Sequence, residues 1–298
     1  MQSGLLLVDK PEGPTSAHVV EKVKRLLAAK KVGHLGTLDP FATGLLPLGI
    51  NDGTKVADIF LTAQKSYRGV IALGVETDTQ DSTGKVIETR EVRRLGERDV
   101  EKLQEAFTGT LLQTPPMFSA LKKDGVRLYR LARKGQTVDR APRQIKVEKL
   151  RLRQLSPAEI EIELTCSKGT YIRTLAADMG KFLGCGAHLK NLRRLSCGHL
   201  SVENAIPLND IEGAKDRGEV PLLSLNEALE HIRAIRLQRD LLSRLKRGQQ
   251  ELLGQLGAPR EEEKMLRLLD PDGNLVALTR WVEEVTGARW RLLRVFPT

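Results

Sequence analysis

An α+β fold around a mainly antiparallel sheet, followed by a small β-rich unit at the C-terminus, is what this chain of 298 residues predicts. Helical and strand patterns mix along it without the regular βαβ repetition of a parallel sheet. Two strands of alternating pattern, Ile145 to Leu152 and Ile160 to Leu164, follow one another across a turn near Ser156-Pro157. Around residues 213–222 the sequence becomes charged and carries Gly and Pro, which marks the end of a first domain.

LLLV at 5–8 reads as a short buried strand, followed by a turn at Pro11 to Pro14. Ser16 is placed to cap a helix whose apolar face holds Val19, Val23, Leu26 and Leu27. Leu45 to Ile50 predicts a buried strand, Thr54 to Leu61 a short helix, and Tyr67 to Val75 a strand. The polar stretch TDTQDSTG at 77–84 predicts a solvated hairpin connection; cation binding by its acids is the lesser reading. Residues 97–107 form a helix with Val100, Leu103 and Phe107 inward, and a later helix is bounded by Gly169 and Gly184. Ser224 with Glu227 makes a capping box. A short helix near 238–247 and strands at 265–269, 275–280 and 290–296 complete the chain, with a turn at Asp272-Gly273.

Forty-eight basic against thirty-eight acidic residues leave a net charge of +10, which suits a polyanionic partner, most simply nucleic acid. No apolar run reaches bilayer length and no secretory signal opens the chain, so a cytoplasmic protein is expected. Three cysteines are too few for a disulfide framework, and reduced thiols are expected. Cys185-x-x-His188 with Cys197-x-His199 is a poor zinc set, because the second pair on a strand would put both side chains on one face. No metal is expected; Cys166 and Cys185 read as core residues, His188 and His199 as polar surface or RNA-facing groups. Neither a Walker loop nor a dinucleotide fingerprint is present, so no cofactor is called for.

The richest segment is GHLGTLDPFATGLLPLG, residues 33–49, which sets one carboxylate, Asp39, among glycines and prolines. Such residues hold an acid in a constrained loop, although Asp before Pro also serves simply to open a turn. The segment resembles the catalytic motif of the TruB family of tRNA pseudouridine synthases, GH-x-G-x-LDP-x-ATG-x-LP, matched from Gly33 to Pro47. LLLVDKPEGPTS at 5–16, Tyr67 in KSYRG, TDTQDSTG at 77–84 and SKGTYIRTLAADMG at 167–180 extend the likeness over most of residues 4–210. The C-terminal strands resemble, more weakly, a PUA RNA-binding module, and so imply a small PUA-like β-barrel at 231–298 behind a catalytic domain at 1–230.

By resemblance, Asp39 is the catalytic nucleophile, Arg173 the arginine that pairs with it, and Tyr67 the aromatic that stacks on the target base. Leu192 corresponds to the apolar floor of the pocket, and His34 to the residue that fills the gap left by a flipped base. Tyr171, in the same motif as Arg173, joins the substrate-binding set. Lys10 has two readings, an RNA contact and a brace for the motif loop. Residues 115–143 hold eight basic and two acidic residues with Phe118 and Tyr129 interleaved, which suits phosphate contact and stacking. The family uses this insertion as a thumb, and Arg127, Arg130 and Lys134 are its expected RNA contacts.

The resemblance therefore implies isomerisation of uridine 55 in the tRNA T loop by an aspartate and base flipping, with the tRNA T-arm as partner. A monomer without an obligatory protein partner is expected. One rival is a tRNA-binding and folding protein whose catalysis is secondary; another is a role inside a guide-RNA complex, against which stand the thumb and the lack of long basic tails. A hydrolase would need a second carboxylate to activate water, and the motif supplies none.

Overall fold

The computed structural model describes residues 2–260, 263–284 and 287–296. β1 (Gly4–Lys10) is buried along its length and pairs antiparallel with β3 (Thr43–Ile50), Gly4 opposite Ile50 through Lys10 opposite Gly44. Apolar residues on both faces of both strands let the sheet be covered on both sides here. Between them α1 (Ser16–Leu26) buries Val19 and Val23, and β2 (Val32–His34) pairs with the far end of β3. The helix is capped by Thr15, whose hydroxyl accepts from the His18 N–H, and not by Ser16. Ser16 is buried instead, and its hydroxyl both donates to the Leu38 carbonyl and accepts from the Leu38 N–H, each at 2.8 Å.

A 3₁₀ turn over Asn51–Val56 leads into α2 (Ala57–Thr62), where the sequence predicts one helix. β4 (Lys65–Leu73) stops at Gly74, whose φ of +84° turns the chain into a hairpin of β5 (Val75–Thr77) and β6 (Val86–Thr89). The expected single strand over 67–75 is thus two. α3 (Glu97–Ala106) and β7 (Gly109–Gln113) precede the 115–143 segment, which holds β8 (Lys122–Lys123), β9 (Val126–Arg127) and α4 (Leu128–Ala132). β10 (Arg143–Ser156) and β11 (Glu159–Cys166) form the expected antiparallel pair. α5 (Ile172–Leu183) ends at left-handed Gly184 and gives way to β12 (Ala187–Cys197). β13 (Leu200–Ser201), β14 (Ile206–Pro207), α6 (Ile211–Asp216), β15 (Leu222–Leu223) and α7 (Leu225–Ala228) follow, the last with its Ser224–Glu227 capping box.

The main sheet runs β14-β1-β3-β12-β4-β11-β10-β7, antiparallel except for β1 with β14 and β3 with β12. Alternation along β1 splits the core. Leu6 and Val8 pack on one face with Tyr67, Leu192 and the buried side of α5, while Leu5 and Leu7 pack on the other with Phe60, Leu229 and Leu278. Each fully buried leucine contributes about 1.5–3 kcal/mol.

β16 (Ala234–Arg236), α8 (Arg239–Lys246), β17 (Met265–Leu269), β18 (Leu275–Glu284) and β19 (Gly287–Val295) build a second, four-stranded sheet in the order β16-β17-β18-β19. Among the described residues the outer strands do not pair, so this is an open sheet and not the closed barrel expected from the sequence. β16 has only three residues, and Trp290 on β19 donates from Nε1 to the Gly257 carbonyl at 2.7 Å, so the 250–257 turn covers that edge. Arg267 ties β17 to the end of the first sheet's chain, donating to the carbonyls of Asn226, Glu230 and Ile232.

The cysteine-histidine constellation falls apart in space. Cys185 precedes β12 and Cys197 ends it, so the two pairs lie about 30 Å apart at 3.3 Å per strand residue. His199 sits in the turn between β12 and β13, not on a strand, and its ring stacks 4.3 Å from His231. His188 bonds the Val75 carbonyl through Nδ1 and is half-buried, not a surface group.

Gly44 pairs with Arg194 where β3 meets β12, with φ at +95°, and a Cβ there would stand 2.3 Å from the Arg194 carbonyl oxygen. Gly44→Ala should therefore cost at least about 2 kcal/mol, from strain plus forced separation of the strands. Denaturant unfolding checks this; an unchanged midpoint would show that the strands separate without cost.

Candidate active site

The register of the sheet builds the base of a pocket. Gly44 on β3, Arg194 on β12 and Tyr67 on β4 stand side by side in one row, and Leu192 lies two residues along β12 on the same face. α5 packs on that face and presents Arg173 from its first turn. The 33–42 loop closes one side, the 77–83 loop a second and the 115–143 segment a third, around a cavity of about 810 Å³. Asp39, Tyr67, Arg173, His34, Tyr171, Leu192 and Arg127 all line it.

Arg173 is the hub. Its Nε lies 2.9 Å from Asp39 Oδ2 and its Nη1 3.3 Å from Asp81 Oδ2, while Nη1 also donates to the Thr79 carbonyl at 2.8 Å and Nη2 to that of Phe118 at 2.9 Å. The Arg173 side chain, 5% exposed, can be buried only because every edge of its guanidinium meets an acceptor.

The two carboxylates on this arginine are not equivalent. Asp81 is buried, and its Oδ1 accepts from the Thr79 hydroxyl, the Thr83 hydroxyl and the Thr83 N–H at 2.8, 2.6 and 3.0 Å. The 77–84 stretch is the expected hairpin connection, with Asp78, Ser82 and Thr83 exposed, but Asp81 is buried in it, and the cation that acid meets is a guanidinium. Asp39 has Arg173 on one oxygen and keeps 40% of its side chain open to the cavity. Burial of the surrounding loop pushes its carboxyl above the usual range, against the pull of Arg173 and with a further push from Asp81. The exposed fraction lets water moderate that push without reversing it.

The loop that carries Asp39 is held by buried cations. Lys10 has no exposed surface, and its Nζ donates to the carbonyls of Pro11 and Pro40 at 2.7 and 3.1 Å, which makes it a brace. Burial lowers its pKa to about 8. Arg194 is 1% exposed and donates from Nε to Leu45, from Nη2 to Gly36 and from Nη1 to Thr37, at 2.6, 3.0 and 3.3 Å. Lys65 caps the end of α2 through the carbonyls of Phe60, Leu61 and Ala63. Gln113 bonds the Tyr171 N–H through Oε1 at 2.8 Å and the Tyr171 carbonyl through Nε2 at 3.0 Å, fixing the entry to α5.

Tyr67 is 9% exposed, and burial pushes its phenol up to about 12 despite the neighbouring Arg194. It therefore stays neutral and offers a flat apolar face. Burial and Arg194 also lower the pKa of His34, whose Nδ1 is enclosed without a partner. On the 115–143 segment Arg127 reaches the cavity, whereas Arg130 and Lys134 stand exposed outside its lining. Arg133, not singled out from the sequence, lines the cavity and lies 5.6 Å over the Tyr129 ring.

Sequence reasoning also missed Asp81, Arg194 and Gln113. Thr79 and Thr83 flanking Asp81 are the signal of a satisfied buried acid, and an arginine on the same strand face as Leu192 is the signal for Arg194. Asp81 is the second carboxylate a hydrolase would want, but its lone pairs on Oδ1 are already engaged.

An antiparallel scaffold whose cavity is lined by one half-open aspartate on a buried arginine, a neutral tyrosine and an apolar leucine fits the class of the pseudouridine synthases. Residues 24–172 match the N-terminal domain of TruB family pseudouridylate synthases, and residues 173–231 the C-terminal domain of tRNA pseudouridylate synthase B. The chain belongs to the TruB family, whose members are isomerases. A tRNA pseudouridine synthase B of Geobacter sulfurreducens is 42% identical over 98% of this chain and 99% of its own. That of Syntrophobacter fumaroxidans is 42% identical over 99% and 97%. The fold also matches a solved Cbf5-Nop10-Gar1 complex, with a TM-score of 0.72 at 24% identity over 99% of this chain and 85% of the other.

Arg194→Met removes three carbonyl partners from a buried loop and should lower stability by about 3 kcal/mol. Calorimetry on the folded variant checks it, and a melting temperature equal to the parent's would show that the loop holds its shape unaided.

Proposed function

We propose that this protein isomerises uridine 55 in the T loop of tRNA to pseudouridine, with Asp39 as the catalytic carboxylate. The inequality of the two aspartates carries the reading, since only Asp39 has an oxygen free to meet a substrate. tRNA is the substrate named for the relatives at 42% identity.

In this reading the N1–C1′ bond of the flipped uridine breaks while Asp39 stabilises positive charge developing at C1′. The uracil turns, C5 bonds C1′, the C5 proton leaves to solvent and N1 takes one up, so no atom is gained and no cofactor is needed. Arg173 keeps Asp39 ionised and aimed. Tyr67 supplies a stacking face, Leu192 the floor and Tyr171 the wall beside Arg173. Its high phenol pKa suits Tyr67 to stacking more than to resident base chemistry. His34 takes the space the base vacates, at a flipping cost of a few kcal/mol.

Arg127, Arg130 and Lys134 on the thumb neutralise phosphates, supported by their exposure and by the absence of a resolved acidic partner for any of them among the described residues. Lys10 braces the loop and does not touch RNA. Residues 1–230 form the catalytic domain, with the thumb at 115–143, and residues 231–298 a PUA-like RNA-binding domain. The protein works as a monomer in the cytoplasm without an obligatory protein partner.

Asp39→Asn keeps size but removes charge and nucleophilicity, so it should bind tRNA within about tenfold of the parent and release no tritium from tRNA labelled at uridine C5. Turnover comparable to the parent's would remove Asp39 from the chemistry. Failure in modification with full restoration of tRNA function in cells would favour the tRNA-folding role.

The pH profile gives a second check. Because burial lifts Asp39 above the ordinary value, the rate should fall on acidification at a pH above 3.8, as the carboxylate takes up its proton. Arg173→Met removes the cation that opposes this and should move the acid limb to higher pH. A limb that stays in place would mean that another group sets it.

A further inference from the structure

Among the described residues, four buried side-chain polar atoms lack a hydrogen-bond partner, and two of them, His34 Nδ1 and Ser119 Oγ, belong to residues lining the same cavity. An unpartnered buried hydroxyl destabilises the fold, and such a cost is kept where a ligand supplies the missing bond. Ser119 is 5% exposed and is held by its backbone, its N–H donating to the Met117 carbonyl at 2.9 Å and its carbonyl accepting from the Tyr129 N–H at 3.1 Å.

Its place identifies the ligand atom. The preceding residue, Phe118, gives its carbonyl to Arg173 Nη2, and the Nε of that guanidinium holds Asp39. Ser119 thus lies one residue from an acceptor of the arginine that holds Asp39, and Asp39 is where the sugar stands in the reading above. Tyr67, which also lines the cavity, is the base-stacking face in that reading. A ribose carries a 2′-hydroxyl one bond from C1′, and a serine hydroxyl, donor and acceptor at once, complements it.

We propose that Ser119 is a specificity-determining residue that hydrogen-bonds the 2′-hydroxyl of the flipped uridine and so selects ribose over deoxyribose at the target. The inference rests on the reading of this cavity as the uridine site. The nearby Tyr171 phenol, drawn down by Ser119 against the upward push of burial, is the competing partner.

The test is a double-mutant cycle on binding, run in the Asp39→Asn background so that no turnover intervenes. T-arm RNAs carrying uridine or 2′-deoxyuridine at the target are titrated against proteins with Ser119 and with Ser119→Ala. The expected result is a loss of about tenfold for the deoxy substrate with Ser119, and no further loss for it with Ser119→Ala. Two losses that multiply independently would overturn the proposal and point to the Tyr171 phenol as the partner. Equal affinity for both RNAs with Ser119 present would overturn it as well. Melting temperatures confirm that Ser119→Ala, an atom-deleting change, is folded. Tritium release by the parent tests the underlying reading separately: release with independent losses sinks only Ser119, whereas no release sinks the site itself.

Discussion

A guanidinium buried in protein must find an acceptor for every edge, and the geometry around Arg173 follows from that constraint. Its acceptors come from the motif loop, the 77–83 loop and the base of the thumb, segments that do not touch one another along the chain. Removing any one leaves a desolvated N–H, which is the costliest state available to it. The site is therefore assembled around a cation, and the carboxylate with the fewest other bonds is the one left to act.

The same logic runs through the loop that bears Asp39. The eight residues 35–42, between β2 and β3, present carbonyls that strands cannot reach, and Lys10, Ser16 and Arg194 reach them with side chains. A planar fork serves better than a point charge where three carbonyls lie in different directions, which is why Arg194 and not a lysine stands beneath the loop. Rigidity of this kind is what a reactive group needs, since a displacement of about 1 Å can cost two orders of magnitude in rate.

Much of this was legible in the sequence. Strand alternation in 145–164, the capping box at Ser224 and the enclosed acid of the 33–49 segment all express local rules, and the structure repeats them. The pairing of Asp39 with Arg173 was legible only by resemblance, because 134 positions separate them and no periodicity spans that distance. Asp81 was misread because its partners are two threonines beside it and an arginine far away, so that polarity looked like exposure. Ser16 was misread because capping competes with burial, and Thr15 took the cap. The C-terminal barrel was over-read from strand count: strands declare themselves by alternation, but whether their edges meet depends on register and on what covers them.

The bond from Arg194 Nε to the Leu45 carbonyl joins residues 149 positions apart, and while β2 covers the far end of β3, its Thr43–Gly44 end gains a second neighbour only when β12 arrives. A chain emerging from the ribosome thus exposes β1 and β3 long before the strand that completes the sheet has been made. Loop-closure entropy must be met before these non-local contacts reward it, so folding is expected to be slow and governed by topology. In that interval the uncovered Thr43–Gly44 end of β3 is open to pairing with other chains, and the nascent protein is the state most in need of a chaperone.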